Sequence, residues 1–241
     1  MNIHIEKTDG TNLPYRMLEF AGGERHVQLQ DVSSLQETLI LRACLTSSND
    51  LVDLLLIENA LRHAFGPETT INLELPYLPY ARQDRVCTAG QAFSLEVMTG
   101  LLQLMQIKQL VTWDCHSDVG VTMTQAYNVN PATIIQSDAA LSALLKQDDS
   151  VLLCPDKGAV KRCAAIQQSF GLSEMVRCEK QRDPATGKIV RTEVLGGDLS
   201  GRCAVITDDI CDGGYTFIKI AEQLRIKQVE RIVLFVTHGI F

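Results

Sequence analysis

The stretch RCAVITDDICDGGYTFIKIAEQLRIKQVERIVLFV, Arg202–Val236, decides the reading of the fold. Arg202–Thr207 holds a short apolar run with the length and β-branched content of a buried strand. It delivers two adjacent acids, Asp208 and Asp209. A glycine turn and a helical pattern over Thr216–Leu224 follow, then a second apolar run, Arg231–Val236. Two buried strands joined by a helix imply a parallel pair with a crossover.

The same rhythm extends upstream. Strands are predicted at Thr38–Leu41, Thr70–Leu75, Leu110–Trp113 and Val151–Cys154. Helices are predicted over Leu51–Phe65, Phe93–Met105, Ala139–Leu145 and Ala159–Phe170. Asn49 or Asp50 is the expected cap of the first helix, and Gly66-Pro67 its stop. The fold class is therefore α/β, with mainly parallel sheets flanked by helices. The polar segment Tyr127–Ile135, with Pro131, marks the boundary between domains 1–132 and 133–241. Gln181–Lys188 reads as a mobile polar loop.

At 241 residues the chain suits two domains of ordinary size. A hydrophobic fraction of 46% with 21% charged residues excludes a disordered or fibrous protein. The formal net charge of −7 gives no basic face for nucleic acid. No window approaches the ~20 apolar residues of a membrane span, and MNIHIEKTDG is not a secretory signal. None of the 8 cysteines forms a C-x-x-C pair, and most lie in apolar runs. They read as reduced thiols of a cytoplasmic protein, not as a zinc site or a disulfide framework.

Ligands in open parallel sheets bind beyond the carboxyl ends of the strands, and the informative residues lie there. Asp208 and Asp209 are placed to accept hydrogen bonds from neighbouring sugar hydroxyls or to hold a divalent cation. The turn Asp212–Thr216 opens a helix, an arrangement suited to phosphate. CPDKGAVKR, Cys154–Arg162, repeats the pattern: Asp156 for a metal or a hydroxyl, Lys157 and Gly158 for a diphosphate. In VTWDCHSD, His116 stands between carboxylates at a strand end, as a ligand or phosphate contact. In YLPYARQDR, Arg82 and Arg85 are placed to grip a triphosphate or stack on a base. In EKQRDPATGK, Lys180 and Arg182 open the polar loop; composition alone favours a solvated surface there.

Taken together, these segments resemble the ribose-phosphate pyrophosphokinase (phosphoribosyl-diphosphate synthetase) family. YARQDR, the strand-D-x-H segment, PD-x-G-x-x-KR, K-x-R, DD-x-x-D and VTHGIF follow in register between about Phe20 and Phe241. The resemblance implies two domains, each like a type I phosphoribosyltransferase, with the active site between them. It implies transfer of the β,γ-diphosphate of MgATP to the anomeric hydroxyl of ribose 5-phosphate, giving AMP and phosphoribosyl diphosphate for nucleotide and NAD synthesis. The implied donor contacts are Arg82, Gln83 and His116, with Phe20 and Glu24 in a loop reaching the adenine of a neighbouring subunit. Gly22 shares that loop but fits the family's pattern poorly. His116 and Asp156 are implied near Mg2+. The implied catalytic pair is Lys180 and Arg182. Asp208 and Asp209 are implied at the ribose hydroxyls. Asp212, Gly213, Gly214, Tyr215 and Thr216 are implied around the sugar phosphate, and Asp156, Lys157 and Gly158 in the diphosphate loop. A homo-oligomer, a dimer or a hexamer, is the expected assembly.

The sugar-phosphate loop departs from the family's Asp-Thr-x-Gly-Thr at Gly213 and Tyr215. A lost hydroxyl and an added ring point to a second acceptor, ADP-ribose or another 5-substituted ribose. The family also continues past VTHGIF, so the chain reads either as a compact form or as one cut short, and another subunit is expected to cover the second domain's sheet edge. Two further readings compete. A phosphoribosyltransferase would need neither YARQDR nor K-x-R. A non-catalytic regulatory paralogue would be expected to lose the acids and loop basics retained here.

Overall fold

A computed structural model describes residues 2–32, 38–182 and 189–241, without the side chains at 2, 180–182 and 189–191. The chain folds as two compact units, Met1–Val129 and Asn130–Phe241. The first unit contains β1 (Asn2–Lys7), β2 (Tyr15–Glu19), β3 (Arg25–Leu29), β4 (Thr38–Cys44), α1 (Ser48–Phe65), β5 (Thr70–Glu74), α2 (Ser94–Gln103), β6 (Gln109–Trp113), α3 (Asp118–Thr124) and β7 (Tyr127–Val129). Its sheet runs β1-β4-β5-β6-β7, with β1 antiparallel to β4 and the other pairs parallel. β2 and β3 form a separate antiparallel hairpin.

Helix α1 begins earlier than its pattern suggests. Ser47, not Asn49 or Asp50, is the cap; its hydroxyl accepts from the Asp50 amide, and Asp50 reaches back to the Ser47 backbone. That reciprocal pair satisfies orphan donors at both positions, so the helix gains a first turn. The helix stops at Gly66 in a positive-φ conformation that favours glycine. Leu54, Ile57 and Leu61 bury one face of α1 completely. Asp53, also buried, receives a bidentate pair from Arg25 of β3, at 3.1 Å from Nε and 2.7 Å from Nη2.

The second unit contains α4 (Pro131–Ser137), α5 (Ala139–Leu145), β8 (Ser150–Cys154), α6 (Val160–Phe170), β9 (Met175–Arg182), β10 (Ile189–Leu195), β11 (Cys203–Cys211), α7 (Tyr215–Ile226) and β12 (Arg231–Gly239). Its sheet order is β10-β9-β8-β11-β12, again with one antiparallel edge pair. From β8 the chain moves outward to β9 and then returns to pair β11 with the other side of β8. This reversal is a topological switch point, and it opens a crevice at the carboxyl ends of β8 and β11.

Alternation along the central strands explains why their sequences read as continuous apolar runs. Ala204 and Ile206 pack with Phe217, Ile220 and Leu224 of α7. Cys203 and Val205 pack on the opposite face with Cys163 and Ile166 of α6. A strand covered on both faces has no polar alternation to show.

Three further expectations need correction. β11 does not end on Asp208-Asp209 but continues to Cys211, paired with β12 as far as Gly239. The Tyr127–Ile135 segment is not a bare linker; it holds β7 and the first turns of α4, which Pro131 starts and Asn130 caps. Gln181 and Arg182 are not loop but the end of β9, where Arg182 pairs with Ile189 of β10. An edge hairpin is held by backbone pairing, so its residues need no apolar alternation. The remainder of that predicted loop, 183–188, lies outside the described residues. Among the described residues no helix is long and apolar enough to cross a membrane.

Ile206 lies in the central strand with 1% exposure. Ile206→Ala is expected to lower unfolding free energy by about 2–5 kcal/mol, measured by denaturant titration at constant slope.

Candidate active site

In the first unit, the loop after β5 and the loop after β6 meet around a cavity of about 550 Å³. Arg82, Gln83, Asp84, Arg85, Gln91 and His116 line it, so three of the predicted donor contacts, Arg82, Gln83 and His116, are brought together. The joint between the loops is Ser117. Its hydroxyl donates to Asp84 Oδ2 at 2.6 Å and also accepts from the Val119 amide, capping α3. The Arg85 guanidinium first, and the Ser117 hydroxyl second, hold the Asp84 carboxyl below the usual carboxylate range. Arg85, predicted to grip phosphate, is thus already paired with its neighbour at 2.7 Å. Asp114 ends β6 in the left-handed region, φ 41°, with its amide donating to the Val129 carbonyl. That turn carries His116 to the exposed cavity rim.

Phe20 and Glu24 lie at the tip of the β2–β3 hairpin. The Phe20 amide donates to the Glu24 carbonyl at 2.9 Å, and Gly23 turns the chain at φ 82°. The Phe20 side chain is 55% exposed.

In the second unit, the switch point joins the CPDKG loop after β8 to the acids of β11. Arg162 of α6 spans the acid pair: Nη1 lies 3.2 Å from Asp208 Oδ1 and Nη2 3.2 Å from Asp209 Oδ2. The Asp209 amide also donates to Asp208 Oδ1, at 3.0 Å. Burial, then the Asp209 charge, push the Asp208 carboxyl up to about 8, against the opposing pull of Arg162. Arg162 closes the CPDKGAVKR motif, and nothing in the sequence marks its partners. Facing neighbours on separate elements leave no local spacing signal.

Asp156 Oδ1 accepts from the Gly158 amide at 2.9 Å and the Ala159 amide at 3.2 Å. Two amides of the predicted diphosphate loop therefore point at the loop's own acid, and Lys157 is exposed beside them. Gly214 precedes α7 at φ 71°, which favours glycine, whereas a Cβ on Gly213 would meet nothing within 4 Å. Tyr215 is half exposed, and Lys219 Nζ sits 5.7 Å from its ring centre. Thr216 lies in the first turn of α7. Lys180 and Arg182 lie in β9, with side chains outside the described residues.

The helices differ in how they are capped. α1, α3, α4 and α5 start under the side chains of Ser47, Ser117, Asn130 and Asp138. α2, α6 and α7, which follow the cavity, the Asp156 loop and the Asp212 loop, have no side-chain hydrogen bond at their caps. Uncapped first turns keep amide donors for other acceptors. Among the described residues no group of three or more His, Cys, Asp or Glu is placed to hold a metal ion.

Residues 5–105 match the family described as the N-terminal domain of ribose phosphate pyrophosphokinase, and residues 123–239 match the phosphoribosyl transferase domain. The ribose-phosphate pyrophosphokinase of Thermococcus kodakarensis is 31% identical over 231 residues, covering 95% of this chain and 79% of that relative. The enzyme of that name from Haemophilus influenzae is 28% identical over 227 residues, covering 92% of this chain and 70% of its own length. The crystal structure of phosphoribosylpyrophosphate synthetase from Mycobacterium smegmatis superimposes with a TM-score of 0.79 over 96% of this chain and 74% of its own. At 22% identity it bears on the fold.

An acid whose pKa is raised on folding stabilises the native state below its unfolded value, 3.8 here, and that contribution is lost as pH climbs through about 8. Asp208→Asn is therefore expected to flatten the fall in melting temperature between pH ~5 and ~8. Parallel melting curves of variant and wild type across that range would show that Asp208 does not hold its proton.

Proposed function

The chain belongs to the ribose-phosphate pyrophosphokinase family, and from that membership we propose that it transfers the β,γ-diphosphate of MgATP to the anomeric hydroxyl of ribose 5-phosphate. The observation that carries this reading is the largely buried acid pair at a switch point, in a chain whose other unit has an arginine-lined cavity. Vicinal diols are bound well by paired acceptors, and polyphosphates by guanidinium groups. The alternative readings as a transfer to ADP-ribose or as a silent paralogue draw no support from relatives named for ribose phosphate.

The donor groups belong to the first unit. Arg82 offsets triphosphate charge, while Gln83 and His116 fix its course. Phe20 and Glu24, at an exposed hairpin tip, reach the adenine bound by a second copy, which makes the working form a homo-oligomer. The acceptor groups belong to the second unit. Asp208 and Asp209 accept from the 2- and 3-hydroxyls of ribose. Asp212–Thr216 surround the 5-phosphate with backbone amides and the Thr216 hydroxyl. Asp156, Lys157 and Gly158 face the diphosphate in transit.

The anomeric oxygen attacks the β-phosphorus, forming one P–O bond. The bond from that phosphorus to the α,β-bridging oxygen breaks, AMP departs, and the hydroxyl proton is released. Charge builds on the bridging oxygen, and Lys180 and Arg182 stabilise it. Mg2+ would arrive as part of the MgATP substrate, neutralising phosphate charge, and His116 of the first unit and Asp156 of the second are each proposed as a side chain near it. The reading puts the enzyme in the cytoplasm, a reducing compartment that suits its free thiols.

The test is AMP formation that depends on both MgATP and ribose 5-phosphate. Its absence, or turnover of ADP-ribose in place of ribose 5-phosphate, would reject the proposed acceptor. Lys180→Ala is expected to lower kcat at least ~100-fold with intact folding. Gly213→Thr has open space for its side chain and is expected to lower KM for ribose 5-phosphate about ten-fold by adding a donor to the phosphate.

A further inference from the structure

We infer that Arg162 is a positioning residue for the acceptor, holding the Asp208 and Asp209 carboxylates together so that both meet the hydroxyls of one ribose. The inference rests on the acceptor assignment just made. Consecutive residues of a strand direct their side chains to opposite faces of the sheet. Asp208 and Asp209 are consecutive in β11, and the strand runs on past them to Cys211. Left to strand geometry alone, their carboxyl groups would diverge. One guanidinium prevents this, with one nitrogen at 3.2 Å from each acid.

Placement and chemistry both favour arginine here. Arg162 lies on α6, the helix that follows β8, so its base is fixed by the strand adjoining β11. Its side chain is 11% exposed, and those of the acids are 15% and 8% exposed. In such surroundings an unpaired carboxylate is costly. A planar fork of donors spans two separate acceptors in one fixed geometry, whereas a lysine ammonium is a single point charge. Arg162 therefore sets the spacing of the acceptors as well as their charge, without itself needing to touch the sugar.

Arg162→Met is expected to raise KM for ribose 5-phosphate at least ~30-fold while KM for MgATP changes less than ~3-fold. Arg162→Lys should fall between wild type and Arg162→Met, and it provides a charge-retaining variant should the methionine form fail to fold. The deciding readout uses 2-deoxyribose 5-phosphate, which lacks one of the two hydroxyls. If Arg162 acts through the acid pair, the penalty of either substitution shrinks at least ~5-fold with this acceptor, because the contact it supports is already missing. Equal penalties on both acceptors, or an unchanged KM for ribose 5-phosphate, would overturn the positioning role while leaving the activity intact. A wild-type enzyme inactive with ribose 5-phosphate would overturn the acceptor assignment and this inference together.

Discussion

Two neighbouring carboxylates in a largely buried strand are an unstable arrangement on their own. Burial raises the energy of each charge, and each charge raises it for the other. The guanidinium of Arg162, reaching across from α6 to β11, opposes both effects at once. The second unit is organised around this contact. It needs β8 and β11 side by side, α6 packed against their shared face, and a crossover that reverses direction between them. A sheet of simple sequential order would not bring the loop after β8 to the acids of β11.

The helices begin in two ways. At Ser47 and Asp138 the first amides of α1 and α5 are taken up by their own chain. α7, behind Gly214, has no side-chain cap. The Asp156 loop is intermediate. Its acid accepts from two amides just ahead of α6, so the loop keeps its shape by binding an anion of its own. The diphosphate proposed for this loop would compete there with a tethered carboxylate.

The fold was legible wherever burial imposed a period. β8, β11 and the helices that cover them show as apolar runs and helical spacing because both sheet faces are dry. β1, β2, β3, β9 and β10 were missed, since edge strands and hairpins carry polar side chains and are held by backbone pairing. The candidate site is legible as types of residue in the loops and strand ends at the carboxyl side of the sheets, as with Arg82, His116, Asp156 and Asp208. Its internal contacts are not. Ser117 with Asp84, separated by 33 positions, and Arg162 with Asp208, separated by 46, are products of tertiary folding. No spacing rule on one helix or strand announces such pairs.

The hairpin of β2 and β3 is fastened to α1 by an ion pair whose acid, Asp53, has no exposure at all. Fastening of that kind, with two parallel hydrogen bonds from one guanidinium, fixes direction as well as distance. Phe20 is consequently presented as a rigid prong. In the docking proposed above, such fastening lowers the ordering cost at the hairpin tip.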